Sequence, residues 1–120
     1  MSSYRPERVA GQMHKVISEL LLSGEIKDPR VALITLTEVS VTRDLRLARV
    51  FYTCLGDAEQ KREAAEGLMK VAPFVRRLLG QEMSLRHIPE LRFEYDSSSD
   101  KGRRIEELLR GTSSDEPHDS

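Results

Sequence analysis

The chain has 120 residues, 38% of them hydrophobic and 32% charged, with a formal net charge of −1 and a single cysteine, Cys54. That size and balance fit one soluble globular domain with a modest core, and one cysteine rules out an intrachain disulfide or a cysteine-rich metal site. No apolar run approaches the roughly 20 residues of a bilayer span, and the first residues lack the apolar stretch of a signal peptide, so a cytoplasmic location is expected.

The charge is unevenly laid out. The last ten residues hold three acids (Asp115, Glu116, Asp119) and no lysine or arginine, which leaves 19 bases against 17 acids before residue 111. Between Lys70 and Arg92 five bases meet two acids, so that region is locally positive.

In chain order, Val9, Met13, Val16/Ile17 and Leu20/Leu21 repeat at helical spacing, opened by Pro6 and closed by Gly24. "KDPR" at 27–30 is turn chemistry leading into "VALITLTEVSV", whose β-branched residues predict a first strand. Its apolar positions change phase between Leu36 and Val39, which one extra residue near Thr37 or Glu38 explains, so a β-bulge is expected there. "TRD" makes a tight connection to "LRLARVFYTCL", with Ala48, Val50, Tyr52 and Cys54 on the core side of an antiparallel second strand.

Asp57, followed three residues later by Gln60, caps a second helix expected to run to about Val71. Pro73 lacks an amide donor and disfavours the α region for Ala72, so Val71, Ala72 and Pro73 are expected to form an interhelical kink, with a third helix continuing to about Gly80. "PELRFEYD" alternates as a third strand. A short helix is expected at about 100–110, where Ile105, Leu108 and Leu109 share a side, and 111–120 reads as a disordered acidic tail. Residues 1–110 are thus read as a single domain.

Helix, strand, strand, helix, kink, helix, strand is the order of a type II KH-like domain. The expected fold is α+β, a three-stranded sheet covered by helices on one face. KH domains approach phosphates through a GxxG loop. The seven glycines here, at 11, 24, 56, 67, 80, 102 and 111, contain no such motif.

Three stretches, "RPERVAGQMHKVISELLLSGEIKDPR", "VSVTRDLRLARVFYT" and "FVRRLLGQEMSLRHIPELRFEYDSS", together resemble the bacterial ribosome-binding factor A family over residues 5–97. In that family a kink, usually alanine-any-glycine, replaces the GxxG loop; here Val71-Ala72-Pro73 stands in its place. The resemblance implies a non-enzymatic factor that binds the immature 30S subunit and 16S rRNA and assists late maturation, including 16S rRNA processing, with a role in cold adaptation. An assembly GTPase is a candidate further partner, and the chain is expected to act as a monomer without metal or cofactor.

Affinity for structured RNA comes largely from lysine and arginine neutralising phosphates. Lys70, Arg76, Arg77 and Arg86 around the kink are the first candidates, Arg76 and Arg77 being expected to project together as a phosphate clamp. Arg5, Arg8, Arg30, Arg43 and Arg46 form a second group, although Thr42 and Asp44 beside Arg43 also suit plain turn chemistry. The aromatic residues are few and fit the core better than base stacking. A catalytic reading of His87 with Glu94 or Asp96 has no second support. The alternative in another class is a protein-interaction adaptor on the same scaffold, with the arginines as rim charges.

Overall fold

Pro6 opens the first helix where its missing N–H is no loss, and Gly24 closes it in the left-handed region at φ 82°, so α1 runs Pro6–Ser23 as the spacing predicts. The computed structural model describes residues 5–98; the expected helix at about 100–110 and the tail at 111–120 lie outside the described residues. The α1 stripe of Val9, Met13, Ile17 and Leu20 is buried. It lies mainly on the first strand.

"DPR" forms a single 3₁₀ turn, Pro29–Val31, because the Asp28 carboxylate accepts the Arg30 amide at 3.0 Å and Pro29 supplies the fixed φ. The first strand, β1 (Ile34–Val41), pairs antiparallel with β2 (Leu47–Cys54). Leu36 faces Tyr52 and Glu38 faces Phe51, which leaves Thr37 as the extra residue of the bulge that the phase change predicts. Without that bulge Val39 would point to solvent instead of being buried. On β2 the core set is Ala48, Val50, Tyr52 and Cys54, as expected, and burial raises the Cys54 thiol pKa.

The second helix, α2, spans Ala58–Glu82, and its start is a capping box: the Asp57 carboxylate accepts the Gln60 amide at 2.9 Å while the Gln60 side chain accepts the Asp57 amide at 3.0 Å. The expected division at Val71, Ala72 and Pro73 does not occur. One 25-residue helix passes through Pro73, so two helices stand among the described residues where three were expected. The physical reason lies in which side carries the defect. Proline deprives the carbonyl of Met69, four residues back, of its donor. Pro73 is exposed and Met69 is 75% exposed, so that carbonyl is on the side that water reaches. The core-facing row of Ala64, Leu68, Val75 and Leu79 stays buried across the proline, so both halves remain packed on the core as one helix.

After α2 the chain returns as β3 (Glu90–Tyr95), parallel to β2, giving the sheet order β1-β2-β3. Leu91, Phe93 and Tyr95 stand opposite Ala48, Val50 and Tyr52 in register and join the core from its margin. Met13, Ile17, Leu68 and Leu79 are among the largest fully buried side chains. Each contributes about 1.5–3 kcal/mol by leaving water.

Gly67 lets α2 approach the 3₁₀ turn. A Cβ there would stand 3.1 Å from both Arg30 Cβ and Val31 Cγ1. The Gly67→Val variant, with two further methyl groups, is expected to lose about 1–2 kcal/mol by overpacking despite a better helix propensity. A thermal melt unchanged or raised by that substitution would contradict the close approach.

Candidate nucleic-acid interface

The β1–β2 turn fixes the first part of the site. Thr42 N–H donates to the Leu47 carbonyl at 2.9 Å and Leu45 N–H to the Thr42 carbonyl at 2.8 Å. The Asp44 carboxylate accepts from the Thr42 hydroxyl at 2.8 Å and from the Arg46 amide at 3.1 Å. The Thr42 hydroxyl, ahead of the Arg46 amide, lowers the pKa of Asp44. Thr42 and Asp44 therefore do satisfy turn backbone, as their chemistry suggested. Closing the turn puts Leu45 at φ 61°, an uncommon conformation for a residue this bulky, and leaves Arg43 and Arg46 exposed.

The second part is the segment between α2 and β3. Met83 and Pro89 are buried, Leu85 and Ile88 are half-buried against the core, and Arg86 and His87 are exposed. Arg76 holds this segment from α2: its Nε donates to the Pro89 carbonyl at 3.2 Å and its Nη2 to the Ile88 carbonyl at 2.8 Å. Glu90 N–H donates to the Arg46 carbonyl at 2.8 Å, which ties the segment to the hairpin. Between the two lies an open cleft of about 680 Å³, lined by Arg46, Arg76, Arg86 and His87, by the acids Asp44 and Glu90, and by Leu45, Leu85 and Ile88.

Three candidate bases from three separate segments, Arg46, Arg76 and Arg86, thus meet at one cleft, and Arg43 stands in the same turn as Arg46. Arg5, Arg8, Arg30, Lys70 and Arg77 do not line it. Arg76 and Arg77 do not project as a pair. Arg76 is turned onto backbone carbonyls, while the Arg77 guanidinium carbon stands 5.6 Å from the Phe74 ring centroid in a cation–π contact.

Arg30 is clasped by Asp28, with Nη2–Oδ2 at 2.6 Å and Nε–Oδ1 at 2.9 Å, and Glu66 lies 3.8 Å from its Nη1. That bidentate bond, then the Arg30 amide, lowers the Asp28 pKa to about 2; Lys70 adds a smaller Coulomb effect. A carboxylate held below its unfolded value stabilises the fold above about pH 3.8, and this contribution fades as pH falls through about 2. The Arg30 Nε–H resonance is expected to keep its hydrogen-bonded shift down to about pH 3 and lose it below, unless Asp28 is replaced by asparagine.

Sequence reasoning missed the fastening role of Arg76. Its partners are main-chain carbonyls 12 and 13 residues away, which no side-chain pattern announces. Lysine cannot copy a fork onto two carbonyls. Arg76→Lys and Arg76→Ala are therefore both expected to cost about 1 kcal/mol and to speed exchange of the Glu90 amide, which donates to the Arg46 carbonyl at the end of this segment. Arg77→Ala should leave that exchange unchanged. Equal protection in wild type and Arg76→Lys would reduce Arg76 to an ordinary surface charge.

Also missed was the outer face of the sheet. Arg49 on β2 donates to Glu94 on β3, with Nε–Oε2 at 2.9 Å and Nη2–Oε1 at 2.8 Å, and the hydrogen bond from Arg49 lowers the Glu94 pKa. Parallel pairing of β2 and β3 sets this contact, and that pairing is not written in either strand alone. Among the described residues no cluster of three or more His, Cys, Asp or Glu side chains is placed to hold a metal ion, and no helix is long and apolar enough to cross a membrane.

A helix, a bulged hairpin, one long helix and a parallel third strand, without a GxxG loop, define a KH-like α+β domain. The sequence profile of the family "Ribosome-binding factor A" matches residues 5–109. The ribosome-binding factor A of Geotalea uraniireducens is 42% identical over 115 residues, covering 96% of this chain and 93% of the relative. That of Thioalkalivibrio sulfidiphilus is 45% identical over 105 residues, covering 88% and 81%. The chain belongs to the ribosome-binding factor A family.

Solved structures agree on the fold. The solution structure of a ribosome-binding factor A from Thermotoga maritima superposes with a TM-score of 0.68 at 26% identity, over 82% of this chain and 92% of that one. The Thermus thermophilus protein's crystal structure gives 0.66 at 21% identity, over 77% and 97%. A homology model of the Thermus protein, fitted into a cryo-EM map of a complex with the 30S subunit, gives 0.61 at 22% identity, over 74% and 92%.

Proposed function

We propose that this protein is a non-enzymatic assembly factor. It binds the immature 30S subunit through 16S rRNA, assists late maturation including 16S rRNA processing, and leaves when that is complete. The reading is carried by family membership across residues 5–109, and the 30S complex of the Thermus relative supports it. Physically, Arg46 and Arg86 at the cleft, with Arg43 beside them, meet phosphates of folded RNA and release their counterions. Binding of this kind favours the RNA conformer that presents the matching phosphates, which matters most in the cold, where misfolded RNA escapes slowly. The protein acts as a cytoplasmic monomer, with an assembly GTPase as a further partner.

Sedimentation of lysate through a sucrose gradient tests this. The protein is expected with free small subunits and absent from 70S ribosomes, and its association should fall by orders of magnitude between low and moderate salt. Migration only at the top of the gradient in low salt would overturn the reading, and salt-insensitive binding would favour a protein-interaction adaptor.

A further inference from the structure

We propose that the cleft between the β1–β2 turn and residues 83–89 receives one unstacked nucleotide of single-stranded RNA. Its base lies against Leu45, Leu85 and Ile88, and its flanking phosphates lie on Arg46 and Arg86. The inference rests on the RNA-binding reading above and deepens it, because phosphate contact alone does not require a cleft.

Three features of the cleft select an unpaired nucleotide over a duplex. At about 680 Å³ the space is that of a pocket for a small molecule, whereas a duplex presents a convex ridge of phosphates with its bases stacked inside. The apolar wall gains free energy only from a group that leaves water on entering, and a base face does so only when unstacked. Glu90 also lines the cleft, and its carboxylate makes no hydrogen bond within the described residues. A carboxylate accepts only; it repels a phosphate, yet it accepts from the N–H donor that every RNA base carries on its Watson–Crick edge. That edge is free in an unpaired base and occupied in a duplex.

The charges on the rim are available. Among the described residues no hydrogen bond or ion pair holds the side chains of Arg46, Arg86 and His87, in contrast to the clasped Arg30 and Arg49; Asp44 acts on Arg46 only through the weaker Coulomb attraction of its charge. The walls are set beforehand: Arg76 pins one segment by two carbonyls, and the hydrogen bonds of Thr42 and Asp44 pin Leu45. Preorganisation of this kind lowers the ordering cost of binding.

The test uses the full chain and a fluorescein-labelled single-stranded RNA heptamer of mixed sequence, alone and annealed to its complement. Polarisation gives affinity, and methyl NMR follows Leu45, Leu85 and Ile88. The single strand is expected to bind at least tenfold more tightly than the duplex and to shift those three residues. The Arg46→Ala/Arg86→Ala variant should flatten the log–log salt slope by roughly 1.4, two single-strand phosphates, with an unchanged melting temperature. Duplex binding as tight as the single strand, or single-strand binding without those methyl shifts, would overturn the cleft and leave the assembly-factor reading standing. So would intact small-subunit association with no response to the heptamer. Loss of binding to both oligonucleotides and to small subunits in wild type would overturn both.

Discussion

Alanine at Arg43, Arg46 and Arg86 together is expected to weaken binding to immature small subunits roughly a hundredfold at 0.15 M salt, each lost phosphate contact costing about a factor of five. The same variant should melt within a degree or two of wild type. The three side chains are exposed and make no hydrogen bond or ion pair among the described residues, and substitutions of that kind change stability by about 0.5 kcal/mol or less. The pairing of a large loss in binding with a small change in folding is the informative result. Arg30→Ala serves as the contrast, because it breaks the clasp with Asp28 and uncovers Gly67, so its effect should fall on stability first. Affinity retained within about twofold in the triple variant would remove the hairpin and the 83–89 segment as the RNA-binding surface. A steep fall in melting temperature would show that these arginines serve the fold.

The parts of the fold governed by local rules were legible in the chain. Pro6 and Gly24 bracket α1, Asp57 and Gln60 build the capping box, and the apolar phase change around Thr37 marks the bulge, because each signal acts within its own element and needs no partner from elsewhere in the chain to be read. The expectation that a separate helix begins at Pro73 was misjudged by weighing propensity alone. The cost of proline is fixed, but whether it stops a helix depends on whether the stranded carbonyl faces water and whether the buried row continues past it, and only tertiary packing decides both. The basic candidates were legible as a set but not as a place. Spacing along α2 suggested that Arg76 and Arg77 act together, whereas β3 pulls the loop carbonyls within reach of Arg76 and leaves Arg77 on Phe74. Arg46 and Arg86 are 40 positions apart and meet only because β3 lies parallel to β2, with the main-chain bond from Glu90 to Arg46 closing the cleft.

Pro73→Ala is expected to stabilise the protein by about 2 kcal/mol. Proline in a helix interior is about 3 kcal/mol worse than alanine, and the restriction it places on the unfolded chain returns up to about 1 kcal/mol of that. The alanine amide gives the Met69 carbonyl its missing donor, on an exposed side of α2 where no packed neighbour must move. Binding to small subunits should stay within about twofold, a difference of ~0.4 kcal/mol. The helix is already continuous through residue 73, and the cleft is made by the hairpin turn and the 83–89 segment, so no separate basic helix depends on the proline for its direction. Urea melts and gradient sedimentation of the same variant separate the two halves of the claim. A stability gain with a tenfold loss of binding would mean that the proline sets the path of α2 for RNA, and that the local distortion at residue 73 is part of the interface. A loss of stability would mean that the ring itself packs against the protein, contrary to its exposed position.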